Sequence, residues 1–464
     1  MRKRIGIIGG GVAGLFAACQ LKRLDVDGIA DVTLIEKNPL PGKKLLLTGH
    51  GRCNITNRKD ASELKKGYHE ASNFIYPALR EYGPEDTMEF VSDTLGLKLK
   101  EEENNRIFPV CDNAVRVRDS IVDYISDRTK ILSETKVTKI AKRTTFDAGP
   151  DKAGLGAAFN AEPDKAGLDA NLDAGPQEGN LEAVFEVETD KGELEFDTII
   201  LSCGGSSFTR TGSAGDSYRL AKGLGHKVNP VKGALCPVNA DEASIGLCRT
   251  LAGVSLSAKV TLFAEGKKTA STEGELLFAD FGLTGPAVME ISREIPINVR
   301  ETSALLELDL VPEMSDEEFD RELQNLIREH PDTKITTLLS RFIPASVAAE
   351  AARQAGAADL YAQGFAKAAR KDILRLMKHL RIGIGKAPEI ERAYVTRGGV
   401  ALEEVDRKSM GSKLVDGLYI LGEALDIDGI SGGYNLQACM SEAYLASKSI
   451  LSRISASGSE SGSV

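Results

Sequence analysis

Apolar residues near the start of the chain run together and then stop on glycine. Ile5-Gly-Ile-Ile8 reads as a buried strand ending in the turn Gly9-x-Gly11-x-x-Gly14, and residues 15–24 continue with helical spacing. A second apolar run, Val32-Thr-Leu-Ile35, ends at Glu36. Strand, glycine turn, helix, strand and terminal acid in that order predict a dinucleotide-binding unit. In such a unit Gly9 permits the tight turn, Gly11 lets a pyrophosphate approach the backbone and Gly14 lets the helix pack on the strand. The helix N-terminus faces the phosphates. Glu36 is placed to accept hydrogen bonds from the adenosine ribose, which favours a ribose without a 2′-phosphate.

Farther along, helical spacing covers residues 63–97 and 119–128, and alternation predicts strands over 135–143, 183–189 and 193–202. Residues 147–180 carry Pro-Asp-Lys-Ala-Gly-Leu twice and Asp-Ala-Gly-Pro twice, lack apolar periodicity, and read as a solvated loop inserted in a β-hairpin. Residues 229–311 are strand-like, most clearly over 258–263 and 304–310, and 315–380 are helical, as at 317–328 and 365–380. Strands are expected again over 391–395 and 418–422, then a helix over 435–451. The expected architecture is α/β: a Rossmann-like nucleotide-binding domain from residues 1–228 and 388–453, holding an inserted β subdomain (229–313) and helical subdomain (314–387). Residues 454–464 read as a disordered tail.

Composition narrows the classes. The 464 residues, 42% of them hydrophobic, suffice for a large core, and no apolar run is long enough to span a bilayer. A net charge of −10 without a long Lys/Arg run gives no expectation of nucleic-acid or membrane partners. Seven scattered cysteines without a C-x-x-C argue against a disulfide scaffold, a zinc site or a dithiol pair, and fit a reducing cytoplasm. No metal is expected. A second G-x-G-x-x-G is absent, so a nicotinamide would have to enter the same cleft as the first nucleotide.

Two further stretches carry chemistry. Gly417-Leu-Tyr-Ile-Leu-Gly-Glu423 is a strand ending in an acid, and Gly432-Gly-Tyr-Asn435 opens the last helix, where backbone N–H groups can stabilise negative charge. Asp426 and Asp428 between them suit turns and caps as well as ligands. The loop over 41–57 gathers Lys44, His50, Arg52, Cys53 and Asn54 in a segment too glycine-rich for a helix. Cys53 reads as a small apolar filler more readily than as a redox group.

The glycine turn, Gly42-Lys-Lys44, Gly51-Arg-Cys-Asn-Ile-Thr-Asn57, Phe281-Gly-Leu-Thr-Gly-Pro286, Thr396-Arg-Gly-Gly-Val400 and Gly422-Glu423 through Gly433-Tyr-Asn435 together resemble three-domain bacterial FAD-dependent oxidoreductases. That family includes aminoacetone oxidase and the reductase of 3-dehydro-4,6-unsaturated bile acids. The resemblance implies a glutathione-reductase-like fold with FAD. It places Glu36 and Lys37 on the adenosine side, Lys44, Arg52, Cys53 and Asn54 beside the cofactor, and Glu423, Asp426 and Asn435 along ribityl and flavin. Gly9, Gly11, Ala13, Gly14, Val137, Gly204, Gly433 and Leu436 complete the expected cofactor set, and His50 and Arg52 are the catalytic candidates. His50 stands where this family usually has glycine. The implied activity is hydride transfer through flavin N5, with NAD(P)H as a transient reductant of a small-molecule, bile-acid-like C=C bond conjugated to a carbonyl. A small-amine oxidase using oxygen is the alternative. A tRNA-binding flavoprotein and a non-catalytic flavin binder are the readings from other classes.

Overall fold

The computed structural model describes residues 2–146 and 181–460; the duplicated segment 147–180 and residues 461–464 lie outside the described residues. Five parallel strands form the central sheet, in the order Leu418–Ile420, Thr198–Leu201, Lys3–Ile8, Ala30–Ile35 and Thr129–Leu132. Their apolar runs are buried on both faces, as at Ile5, Ile7, Leu34, Ile200 and Ile420. Helices Val12–Leu24 and Tyr434–Glu460 pack together on one face. An antiparallel meander, Val137–Phe146, Leu181–Thr189 and Gly192–Phe196, covers the other. The fit there is close, because a Cβ on Gly6 would lie 2.8 Å from the Phe196 ring.

Between these halves the chain builds a second unit. Six antiparallel strands run in the order Val238–Asn239, Gly282–Thr284, Lys267–Ala279, Ser255–Ala264, Leu305–Asp309 and Leu380–Gly383. Helices Asp316–Glu329 and Lys367–Lys378 share a core with this sheet through Leu306, Phe319, Leu323, Ile373 and Met377. Ser315 and Glu318 close a capping box at the first of them. A ribbon of Lys232–Ala234 and Val395–Arg397 lies where the chain passes between the two units.

Several elements differ from the periodicity reading. The helix expected over 119–128 spans Ala114–Ile125, because the Asn113 side chain caps the Val115 and Arg116 N–H groups. The single strand expected over 193–202 is two, in different sheets, divided at Asp197, whose carboxylate accepts from the Arg4 N–H at 2.7 Å. The strand expected over 391–395 is a tight helical turn, Ile390–Arg392, with the strand displaced to Val395–Arg397. The last helix runs on to Glu460, through the residues expected to begin a disordered tail. Among the described residues no helix is long and apolar enough to cross a membrane.

Candidate active site

A cleft of about 1200 Å³ opens at the carboxyl ends of the parallel strands and extends to the inserted sheet. Gly9, with φ 106°, cannot carry a side chain, since a Cβ would lie 2.5 Å from the Ser202 carbonyl oxygen. Gly14 is excluded by packing, its Cβ falling 2.0 Å from the Gly9 oxygen. Gly11 differs: its Cβ would have nothing nearer than the Ser202 oxygen at 3.9 Å, so a glycine there keeps the cleft open. Gly11 also begins helix Val12–Leu24 with no side-chain cap, so the first-turn N–H groups are left for an anion. Glu36 is 7% exposed; one oxygen accepts from the Gly10 N–H at 2.8 Å and the other from the Asn38 N–H at 2.7 Å. It braces the glycine turn from below. Ala13, Val137, Gly204 and Leu436 line the same cleft, as does Lys37, paired with Asp216.

Lys44 and Glu423 meet across the cleft, with the ammonium 2.8 Å from both carboxylate oxygens and 2.6 Å from Ser207 Oγ. Asn435 lines the wall, but its side chain is committed to the loop before it, accepting from the Gly429 N–H at 2.8 Å and donating to the Gly429 oxygen at 2.9 Å. Gly433 is required by contact, since a Cβ would lie 2.5 Å from the Thr56 backbone. In the floor, Glu442 accepts from the Gly422 N–H at 2.6 Å through one oxygen, while the other is buried without a partner in the protein. Burial pushes this carboxyl up to about 8.

Open space at Gly11, an uncapped helix N-terminus and an unpartnered polar atom in the floor fit a dinucleotide of the size of FAD. Gly9, Gly11 and Ala13 would hold its diphosphate, Glu36 and Lys37 its adenosine side, and Glu423 and the Gly433 segment its ribityl and flavin side.

Three expected site residues do not reach the cleft, and others reach it with their polar groups engaged. Asp426 holds the connection between the two units, accepting from Asn229 Nδ2 at 2.9 Å and the Gly398 N–H at 2.8 Å. Cys53 is 1% exposed behind the wall, and burial pushes its thiol up to about 12. Gly14 acts through packing beneath the turn. Asn54 donates to the Thr56 and Ile107 oxygens at 3.0 and 3.1 Å. Arg52 lines the cleft, but it pairs with Glu102 at 2.8 Å and stacks 4.2 Å above the Phe108 ring. His50 lies exposed on the rim at φ 57° and ψ 42°, a left-handed conformation that glycine adopts more readily. Glu290, Lys59, Arg106 and Phe108 also line the cleft and were not singled out by the sequence. For Glu290 the available signal was Phe281-Gly-Leu-Thr-Gly-Pro286, which sets up its helix.

Fold and cleft define an FAD-dependent oxidoreductase of the Rossmann type. The model of the HI0933-like protein Rossmann domain matches residues 3–151 and 159–449, and the chain belongs to that family. The 3-dehydro-bile acid delta(4,6)-reductase of Clostridium scindens is 28% identical, over 97% of this chain and 99% of that protein. A ribosomal RNA dihydrouridine synthase of Haemophilus influenzae is also 28% identical, over 96% of this chain and 97% of that protein. The solved structure of 3-ketosteroid delta1-dehydrogenase from Sterolibacterium denitrificans aligns with a TM-score of 0.51 at 12% identity, covering 98% of this chain and 99% of that one, a likeness of fold.

Proposed function

We propose that this oxidoreductase saturates a carbon–carbon double bond conjugated to a carbonyl, in a compact apolar molecule such as an unsaturated 3-oxo steroid, with NAD(P)H as electron source. The observation that carries this reading is the chamber between the flavin half of the cleft and the inserted unit. Leu277, Pro286, Ala287, Met289 and Tyr394 give it an apolar surface, and the acids on that wall are Glu273, Glu275 and Glu290. An apolar wall suits a ring system. The carboxylates on that wall disfavour a phosphate backbone there while Lys59 and Arg106 line the same cleft, so the apolar surface is what favours a small molecule over RNA. The names of the two relatives supply the same chemistry from different substrates, since a 4,6-unsaturated 3-oxo ring and a uracil each hold a C=C bond beside a carbonyl.

FAD, when bound, supplies the hydride at N5. The chain's own residues would bind and orient: the uncapped helix would hold the diphosphate, the Lys44–Glu423 pair would stand beside the ribityl chain, and the inserted sheet would form the wall opposite the flavin. One glycine fingerprint means one nucleotide site, so reductant and substrate take turns at the same face. Incubation with NAD(P)H and a 4-en-3-one steroid is expected to give the product two mass units heavier, with parallel initial-rate lines. Saturation of uracil in ribosomal RNA with no product from the steroid, or hydrogen peroxide formed from a primary amine, would overturn the reading.

A further inference from the structure

Saturating a conjugated double bond takes a proton as well as a hydride, and the inference below rests on the reductase reading. The acids expected from the sequence are poorly placed to give that proton. The Arg52 guanidinium is tied to Glu102 at 2.8 Å. Cys53 is walled off and His50 stands exposed on the rim; Glu442, which the sequence did not single out, belongs to the floor beside Gly422.

Glu290 is placed differently. It lies in helix Pro286–Ile291, whose Ala287 and Met289 face the same cleft. That helix is held firmly against the inserted sheet. Gly285, at φ 94°, starts it where a Cβ would lie 2.8 Å from the Glu275 oxygen, and Thr272 Oγ1 donates to the Ala287 oxygen at 2.8 Å. From this base the Glu290 carboxylate crosses to the other wall, accepting from Ser431 Oγ at 3.2 Å. Ser431 precedes Gly432 and Gly433 in the turn that opens the last helix, so Glu290 spans the space between the inserted unit and the flavin-side loop.

Its surroundings suit an acid. Half-buried, the carboxyl is pushed above the ordinary carboxylate range chiefly by burial, with Ser431 and the Lys59 ammonium opposing the shift. Besides Lys59, the charged and titratable groups that line the same cleft include Arg106 from the strand Arg106–Pro109, Tyr434 from the last helix, and Glu273 and Glu275 from the inserted sheet. Among the described residues Lys59 and Arg106 form no ion pair, and Lys59 donates to the Tyr434 hydroxyl at 3.2 Å.

We propose that Glu290 is the proton donor of the reduction, delivering its proton to the carbon next to the carbonyl as hydride adds to the far carbon of the double bond. The two π electrons form the new C–H bond at the near carbon, and the two electrons of the hydride originate from NAD(P)H. Glu290 is left as a carboxylate beside Lys59 and regains its proton from water at the mouth of the cleft. A carboxyl that burial holds above the ordinary carboxylate range keeps its proton to higher pH than an exposed glutamate, which suits that cycle.

The experiment compares wild type, Glu290→Gln and Glu290→Asp as holoenzymes under anaerobic conditions, with FAD content measured for each. Bleaching by NAD(P)H is expected to be equal in all three. Reoxidation by a 4-en-3-one steroid should slow by about 10²–10⁴-fold in Glu290→Gln, the usual contribution of a positioned acid, and less in Glu290→Asp. Wild-type reoxidation should fall as pH rises through the titration of the carboxyl and show a solvent isotope effect, and the pH limb should vanish in Glu290→Gln. Wild-type reoxidation rates and pH profile in Glu290→Gln would remove Glu290 from the reaction while leaving the reductase reading intact. A wild-type enzyme that no conjugated ketone reoxidises would remove that reading, and the role of Glu290 with it.

Discussion

Glu442 ties stability to pH through a single buried carboxyl. Burial pushes it up to about 8, whereas an unfolded glutamate titrates near ~4.3. Below the unfolded value both states are protonated and the group costs nothing. As pH rises the unfolded chain ionises first, so stability is lost progressively until the folded carboxyl also ionises, and is level beyond that. At ~1.36 kcal/mol per pKa unit the full effect is on the order of 3–5 kcal/mol. Glu442→Gln removes the titration, so its melting temperature relative to wild type should climb between pH ~5 and ~8. A difference that does not change with pH would contradict this. Glu36→Ala should leave the fold intact and weaken FAD by roughly ten- to a hundredfold, from ~1.5–3 kcal/mol for hydrogen bonds to a charged group. Unchanged affinity in a titration of the apoprotein would show that Glu36 does nothing beyond bracing Gly10. At this scale the glycine turn was legible because each glycine has its own local reason. Asp426 and Asn435 were not, because an acid or amide that pins a loop looks in sequence like one that meets a ligand, and Asn229 and Gly398 lie far from Asp426 in the chain.

Elements are joined at the cleft by a buried ion pair. Arg293, just after helix Pro286–Ile291, donates to both oxygens of Asp428, at 2.6 and 3.2 Å, and also to Glu70. This ties the wall that carries Glu290 to the loop that follows Glu423. Removing one partner leaves a buried charge, so Arg293→Ala should cost about 3–5 kcal/mol in a urea melt, and Arg293→Ala with Asp428→Ala should recover part of it. A double variant no more stable than the single one would show that the pair does not couple the two walls. The parallel strands were readable as continuous apolar runs, since burial on both faces leaves no alternation. The boundary at Asp197 was not, because the alternating Glu-Leu-Glu-Phe of the first strand runs into the apolar Thr-Ile-Ile-Leu of the second with one residue between them, and both patterns read as strand.

At the scale of the molecule, the first strand, the strand at 198–201 and the strand at 418–420 come side by side, so residues from both ends of the chain meet in one cleft while the inserted unit keeps a core of its own. The two halves of the nucleotide site were legible from glycines and terminal acids. The substrate wall was not, because Leu277, Met289 and Glu290 acquire their meaning only when the inserted sheet is set against the glycine turns. The central claim is that the chain uses this shared cleft to pass electrons from a nicotinamide to a conjugated double bond. Its most direct test is stopped-flow absorbance of the anaerobic holoenzyme: NAD(P)H should bleach the flavin, and a 4-en-3-one steroid, added after the spent nucleotide is removed, should restore the colour in a single turnover. Bleaching by a primary amine, with restoration by oxygen and not by the ketone, would contradict the account.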